Sequence, residues 1–150
     1  MPDSLLTLLF KIILSVVLSS IIGAERQTRS KGAGLRTHIL VCVGSTLIVL
    51  TSLHLFDTYK DITTVDPTRM ITGVVTGIGF LCAGTIIRAG SSVMGLTTAA
   101  TLWIVSCLGI SVGAGHYAAA LLVTLVVFFV LVGMRSIDRK LNNGKKKQEL

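Results

Sequence analysis

The sequence predicts an all-α integral membrane protein with five transmembrane helices, and two observations support that fold class. Five apolar stretches each have about the 17–25 residues that a helix needs to cross a hydrocarbon core of about 30 Å. Charged residues make up only 14% of the chain, against about 25% in soluble domains, and they lie almost entirely between these stretches. The predicted helices are Leu5–Ala24, Thr37–Phe56, Met70–Ile87, Thr97–Ala114 and Tyr117–Met134.

We expect the first predicted helix to be a retained span and not a signal peptide, because no Lys or Arg precedes it and no small-residue cleavage pattern follows it. Lys11 lies inside this helix, since a helix that began after Lys11 would be too short to cross the bilayer. We expect the long Lys11 stem to carry its ammonium to the outer interface. The second predicted helix is bounded by Arg36 and Asp57.

Small residues at four-residue spacing predict close packing of helices 3 and 4, because such residues let helix backbones approach in lipid. Helix 3 carries small residues on two faces and is therefore predicted to be the central helix. Helix 5 is large and apolar and is predicted to face lipid. The positions predicted for helix packing or for contact with a partner are Gly73, Gly77, Gly79, Ala83, Gly84, Gly109 and Gly113.

The distribution of basic residues predicts the orientation in the membrane. Eleven Lys and Arg residues follow helices 1, 3 and 5, whereas only Lys60 and Arg69 follow helix 2. The positive-inside rule then places the N-terminus outside and the C-terminus in the cytoplasm. We expect a membrane domain over residues 1–134 and a basic cytoplasmic tail over residues 135–150. The tail is attracted to anionic headgroups by about 1 kcal/mol per basic residue, so the net charge of +7 does not indicate nucleic acid.

A cluster of charged and hydroxyl residues is predicted at the cytoplasmic ends of the helices. Glu25 is the only carboxylate at the edge of a span on that side, and an unpaired charge there is costly. The helix 4 N-terminus, with Thr97 as its predicted N-cap, directs its positive dipole end to the same side. The cluster either binds an anion or forms an ion network that locks the helices together. Its predicted members are Glu25, Arg26, Arg36, Thr37, Arg88, Thr97 and Thr98, with Arg26, Arg36 and Arg88 as partners of Glu25.

A weaker candidate for metal binding lies at the outer end of helix 2. His54, Asp57 and Asp61 are spaced by three and four residues and share one helical face, and carboxylate oxygens suit Mg²⁺. The alternative is a solvated acidic loop, which we favour. No cofactor is predicted. The sequence contains no P-loop, GxSxG or HExxH motif, so an enzyme is not expected.

Two longer segments carry a family resemblance. The first is Gly23-Ala-Glu-Arg-Gln followed by Ala33-Gly-Leu-Arg-Thr. The second is Gly77-Ile-Gly-Phe-Leu-Cys-Ala-Gly-Thr-Ile-Ile-Arg followed by Gly95-Leu-Thr-Thr-Ala-Ala-Thr-Leu-Trp. With the helix pattern they resemble the MgtC/SapB family of bacterial inner-membrane proteins over about residues 8–134. The resemblance implies a hydrophobic five-helix domain, a role in growth when Mg²⁺ is scarce and, in pathogens, survival inside host cells.

Two classes of function follow from these observations. The resemblance implies a non-enzymatic membrane regulator that binds a membrane protein partner, and for the best-known branch of the family that partner is the proton-driven ATP synthase. The alternative is a transporter or channel for Mg²⁺ or another ion. That alternative requires a homo-oligomer, because one Glu25 per chain cannot strip a strongly hydrated ion.

Overall fold

The computed structural model describes residues 4–29 and 32–146, with side chains up to residue 134, and this part of the chain forms five helices and one short hairpin. The helices are α1 (Leu5–Gln27), α2 (Leu35–Tyr59), α3 (Thr68–Gly84), α4 (Leu96–Gly113) and α5 (Tyr117–Lys146). The strands β1 (Ile87–Ala89) and β2 (Ser92–Met94) lie between α3 and α4 and pair antiparallel.

Four of the described helices are long and apolar enough to cross a membrane, namely α1, α2, α4 and the Tyr117–Met134 part of α5. Helix α3 is also apolar but has 17 residues. A helix of that length spans about 26 Å, slightly less than a hydrocarbon core of about 30 Å. The mostly helical membrane architecture that the sequence predicts is therefore present, with α3 as its shortest apolar helix.

The third helix ends earlier than the sequence predicts. It stops at Gly84, and Ile87 begins the hairpin instead of closing the helix. Gly90 and Gly95 adopt positive φ angles of 61° and 90°, a conformation that glycine takes without strain. Gly95 is also the N-cap of α4, so the prediction that Thr97 caps this helix is wrong. Apolar periodicity alone does not separate the end of a helix from a short strand.

Helix α4 is the central helix of the bundle, because it packs against each of the other four helices. The prediction that helix 3 is central is wrong: α3 packs mainly against α4 and α2, and Ile78 is its one buried residue among those described. A small-residue motif shows that a helix can approach another closely, but it does not show where that neighbour comes from.

Close approach of backbones occurs instead between α2 and α4. A Cβ added at Gly109 would overlap the carbonyl group of Cys42 and lie 2.8 Å from the Cβ of Ser45. A Cβ added at Gly113 would lie 2.8 Å from the Cβ of Val49. The two glycines, four residues apart, therefore set the distance between these helices.

Helix α5 lies at the edge of the bundle and contacts α1 and α4. Ala120 and Thr124 are buried on its inner face, and Tyr117 meets Phe10 of α1 edge-to-face at 5.3 Å between ring centroids. Only 11% of the Tyr117–Met134 part of α5 is buried inside the bundle, whereas 56% of α4 is buried. This placement agrees with a helix whose large apolar side chains face lipid.

The connection from α2 to α3 is held by two polar side chains. Ser52 Oγ donates to the carbonyl oxygen of Pro67 at 2.6 Å. The Asp66 carboxylate accepts from the hydroxyl and the backbone N–H of Thr68 at 2.6 and 2.8 Å. These two hydrogen bonds lower the pKa of Asp66, because they favour its charged form.

We expect Gly109→Ala to lower the free energy of unfolding by about 1–3 kcal/mol, the usual range for an overpacked site. The control is Gly73→Ala, since a Cβ at Gly73 meets no heavy atom within 4 Å. Both variants gain the same helix propensity of about 1 kcal/mol. Thermal unfolding in detergent should therefore show a lower midpoint for Gly109→Ala alone, and equal shifts in the two variants would contradict the close α2–α4 contact.

Candidate functional site

The end of the bundle formed by the C-terminus of α1 and the N-terminus of α4 carries a buried ion cluster. Glu25 and Arg26 are only 7% and 5% exposed. Arg26 Nη1 lies 3.7 Å from Glu25 Oε2, and Arg29 Nε pairs with Glu25 Oε1. Arg26 Nη2 also donates to Thr98 Oγ1 at 3.4 Å. The cluster therefore links α1 to the first turn of α4.

The groups of this cluster are placed at ion-pair distances, but they are not aligned for hydrogen bonds. Neither carboxylate oxygen of Glu25 has a hydrogen-bond partner within the described residues, and the same holds for Arg26 Nε. Both Glu25 oxygens nevertheless lie within ion-pair distance of a guanidinium group. We regard the charge pairing as the dominant interaction, because Coulomb attraction depends less on angle than a hydrogen bond does.

The remaining predicted members of the cluster do not join it. Arg36, Thr37 and Thr97 are exposed, and the exposed Arg88 donates through Nε to the carbonyl oxygen of Gly90 at 3.3 Å. Arg36 points away because it precedes the fully buried His38 by two residues, which is about 200° around a helix. The predicted pairing of Glu25 with Arg36 or Arg88 is therefore wrong, and Arg29 takes that place.

His38 is the main residue of this region that the sequence did not single out. Its ring is fully buried, with Nδ1 2.8 Å from the carbonyl oxygen of Gly34 and Nε2 3.1 Å from Thr101 Oγ1. Gly23 of α1 lies against it, since a Cβ at Gly23 would come within 3.0 Å of the His38 Cβ. A recognisable signal exists in the spacing, because the polar residues His38, Ser45 and Ser52 recur every seven residues along the buried face of α2.

Buried hydroxyl groups continue this polar contact along α1, α2 and α4. Ser45 Oγ lies 3.1 Å from Ser106 Oγ, and Thr46 Oγ1 donates to the carbonyl oxygen of Gly109 at 3.0 Å. On α1, Ser19 Oγ donates to the carbonyl oxygen of Ser15 at 2.6 Å. We call these groups the polar seam, which comprises Ser15, Ser19, His38, Ser45, Thr46, Thr98, Thr101 and Ser106.

The polar seam stabilises the bundle, because its hydroxyl groups use protein acceptors in a region without water. Interhelical hydrogen bonds of this kind contribute about 0.6 kcal/mol each in membrane proteins.

Lys11 lies at the other end of α1, and it is buried with 6% exposure. The expectation that the Lys11 stem carries its ammonium to the outer interface does not match a side chain that is this deeply buried.

The weak metal candidate does not form a metal site in the described part of the chain. No three His, Cys, Asp or Glu side chains there are grouped closely enough to hold a metal ion. The Asp57 carboxylate instead accepts a hydrogen bond from Lys60 Nζ at 3.1 Å, which raises the pKa of Lys60. Asp61 is exposed, as expected of a solvated acidic loop.

The small residues of α3 form an open surface. A Cβ placed at Gly73, Gly77, Gly79 or Gly84 would meet no heavy atom within 4 Å. Ala83 is exposed as well, and Phe80 beside it is 85% exposed. We call this surface the α3 glycine face, made of residues 73, 77, 79, 80, 83 and 84. Within the described chain no heavy atom covers these glycine positions, so this side of α3 is open.

Comparisons with known proteins agree with the family resemblance in the sequence. The model of the MgtC family matches residues 12–140. The chain is 36% identical over 137 residues to a protein of Escherichia coli strain K12 named putative magnesium transporter YhiD, covering 90% of this chain and 64% of that protein. It is 37% identical over 134 residues to protein MgtC of Salmonella typhimurium strain LT2, covering 89% and 55%.

A third relative is a protein of Synechocystis. The uncharacterized protein slr0014 of Synechocystis is 38% identical over 135 residues, covering 90% of this chain and 55% of that protein. The chain thus spans between about half and two thirds of the length of these curated relatives. No solved structure matches it.

We expect Glu25→Gln to lower the free energy of unfolding by about 3 kcal/mol, because the substitution leaves the buried Arg26 guanidinium without its carboxylate. This value lies at the lower end for a broken buried pair, since Arg29 is 21% exposed. The controls Arg36→Gln and Arg88→Gln should stay within about 0.5 kcal/mol of the wild type. Chemical unfolding in detergent measures the free energy of unfolding of all three variants. A large decrease in either control would show that Arg36 or Arg88 does pair with Glu25, as the sequence predicts.

Proposed function

The chain belongs to the MgtC family of membrane proteins, and we propose that it is a non-enzymatic regulator in the bacterial inner membrane that supports adaptation to low magnesium. In this proposal the α3 glycine face packs against a helix of another membrane protein. The family resemblance makes a subunit of the proton-driven ATP synthase the first partner to test. The basic residues after helices 1, 3 and 5 would lie on the cytoplasmic side, near anionic headgroups.

The open α3 glycine face is the observation that carries this proposal. Glycine in a helix costs about 1 kcal/mol relative to alanine. Gly73, Gly77 and Gly84 give up that stability although a Cβ at each would meet no heavy atom of the described residues within 4 Å. Offsets of four and seven residues place them along one side of α3. A helix from another protein would compensate for this lost stability, because glycine permits the two backbones to approach closely and to gain dispersion contacts.

The rest of α3 presents this face in a fixed orientation. Ile78 on the opposite side is buried, so the packed side of the helix points away from the glycines. The hairpin after α3 extends the apolar surface, since Ile87 and Met94 pair across its strands and are 58% and 55% exposed. A partner that docks on α3 would therefore also meet the hairpin at the Arg88 end.

Ion transport is the second candidate, and the polar seam is the feature that favours it. The seam follows α1, α2 and α4 between Lys11 near one end of the bundle and Arg26 near the other, both buried. At the Arg26 end, two arginines share the single carboxylate of Glu25, and this net positive charge disfavours the passage of Mg²⁺ through a single chain. The seam hydroxyls also donate to protein carbonyl groups, as Ser45 does to Val41 and Thr46 to Cys42. Transport would therefore require a homo-oligomer with a path between chains.

We expect Gly77→Leu to abolish co-purification of the membrane partner from cells starved of Mg²⁺. The leucine side chain would block close approach at the centre of the α3 glycine face, whereas the fold should persist because no described atom lies near that position. The measurement is quantitative mass spectrometry of proteins recovered with the tagged chain after mild solubilisation, with ATP synthase subunits among those quantified.

The matched control is Gly133→Leu on α5, since Gly133 also has no heavy atom within 4 Å of an added Cβ. It adds the same side chain to a different exposed helix and should leave the partner in place. Recovery of the same partner with Gly77→Leu as with the wild type would refute the proposed docking face.

Flux measurements separate the regulator from the transporter. For purified protein in liposomes that contain a Mg²⁺ reporter dye, we expect no flux above that of protein-free liposomes. Flux that is present in the wild type and lost in Glu25→Gln would establish transport through the ion cluster. That comparison requires equal reconstitution of both proteins, which an antibody against a tag measures.

A further inference from the structure

The hairpin formed by β1 and β2 carries a group of large apolar side chains on its outside. A single exposed apolar residue is ordinary, whereas a contiguous group of them marks a surface that contacts another molecule or a membrane. Residues of this kind lie in both strands and beside them, and each is between 39% and 58% exposed: Ile86, Ile87, Val93, Met94 and Leu96.

The hairpin starts and ends at the point where two apolar helices meet. Thr85 is the C-cap of α3, and Gly95 is the N-cap of α4. A Cβ added at Gly95 would overlap the carbonyl oxygen of Thr85, so the two helix ends are in contact. Because α4 is long and apolar enough to cross a membrane, the base of the hairpin lies where the helices leave the hydrocarbon.

Helix α3 alone is short for a membrane span. Its 17 residues rise about 26 Å, which is about 4 Å less than a hydrocarbon core of about 30 Å. The three residues from Thr85 to Ile87 can cover that difference, since an extended residue adds about 3.3 Å. The apolar base of the hairpin therefore continues the lipid-facing surface of α3.

Polarity changes along the hairpin from its base to its tip. Ile87 pairs with Met94 next to the helices, Arg88 pairs with Val93 one step further, and Ala89 pairs with Ser92 before the turn at Gly90 and Ser91. The same order of apolar, charged and polar groups is found from the acyl chains through the phosphates to water. The outer edges of a two-stranded hairpin also carry unpaired N–H and C=O groups that need water, so the backbone belongs at the interface and the base side chains below it.

Arg88 is the charged group at the level where the phosphates would lie. It is exposed, and within the described residues it donates through Nε to the carbonyl oxygen of Gly90 at 3.3 Å. The two Nη groups remain for another acceptor, and a guanidinium group suits the oxygens of a phosphate because it can donate two parallel hydrogen bonds.

We propose that the β1–β2 hairpin is an anchor in the lipid–water interface, in which Ile87 and Met94 insert between acyl chains and Arg88 binds the phosphate of an anionic phospholipid. Apolar and cationic groups follow each other here within one strand residue, about 3.3 Å, and the edge of an anionic bilayer changes from hydrocarbon to negative charge over a comparably short distance. The anchor depends on the placement of α3 and α4 in a membrane, but it does not require a protein partner on the α3 glycine face.

The test places a single tryptophan at the base or at the tip of the hairpin. Trp103 is the one tryptophan of the chain, so Trp103→Phe provides the background for Ile87→Trp and for the matched control Ser91→Trp. The full chain is reconstituted in liposomes of phosphatidylcholine and phosphatidylglycerol, with bromine atoms in the upper part of the acyl chains. We expect the brominated lipid to quench Ile87→Trp about threefold more than Ser91→Trp, because the base lies deeper in the interface.

Acrylamide in the water should quench the two positions in the reverse order. Equal quenching of both positions by acrylamide would overturn the anchor, because the base would then be in water. Protection of Ile87→Trp from acrylamide and from brominated lipid alike would also overturn it, because a second copy of the chain would then cover the hairpin.

The role of Arg88 is tested in the same Ile87→Trp protein. Changing the liposomes from pure phosphatidylcholine to equal parts phosphatidylglycerol should raise quenching by the brominated lipid about twofold, since a basic residue is attracted to anionic headgroups. Arg88→Gln should lose this increase. Arg69→Gln should keep it, because Arg69 is an exposed basic residue in the first turn of α3, at the other end of that helix. An increase in Arg88→Gln as large as that with Arg88 present would overturn the phosphate contact.

Discussion

The contact between the backbones of α2 and α4 is the constraint on which the rest of the bundle depends. Gly109 and Gly113 permit an approach so close that side chains there would overlap α2. At this distance Ser45 reaches Ser106, and Thr46 reaches the carbonyl oxygen of Gly109. In lipid such groups must find partners inside the protein, so close packing and polar pairing support each other.

Helix α1 joins this pair through the same kind of contact. Gly23 lies against Leu35 and His38, and the small residues Ser19 and Ser15 are fully buried one and two turns away. This position brings Glu25 and Arg26 next to the first turn of α4, where Arg26 meets Thr98. The ion cluster is therefore a consequence of how α1 packs, and it ties the end of α1 to the central helix.

The sequence was sufficient for the helices but not for their arrangement. Bilayer thickness fixes the length of an apolar span, which is why both ends of four predicted helices lie within three residues of the ends in the structure. The fifth begins at Tyr117 as predicted, but α5 continues past Met134 to Lys146, because a helix can extend beyond the hydrocarbon core. The position of a helix in the bundle depends on contacts between segments that are distant in the sequence. The spacing of the α3 glycines does not show whether they face the bundle or its outside. Arg36 was misplaced for a local reason: its helical phase relative to His38 decides its side, and His38 had not been recognised as buried.

Function follows from what the bundle leaves uncovered. Ser19, Ser45, Thr46 and Thr101 of the polar seam donate to carbonyl oxygens inside the bundle, and the proposed function therefore relies on an outer surface. The α3 glycine face is such a surface, with small residues that have no neighbour in the described chain. It lies on the apolar helix that is shortest and that packs mainly against α4 and α2, as suits a helix that gains stability from a partner.

Site-specific photocrosslinking in native membranes tests this account most directly. Phe80 on the α3 glycine face and Phe129 on α5 are 85% and 68% exposed, and each can be replaced by benzoylphenylalanine with little change in shape. The account predicts that the label at position 80 forms a discrete crosslink to another polypeptide in cells starved of Mg²⁺, whereas the label at position 129 reacts with lipid. Reaction with lipid alone at both positions would contradict it.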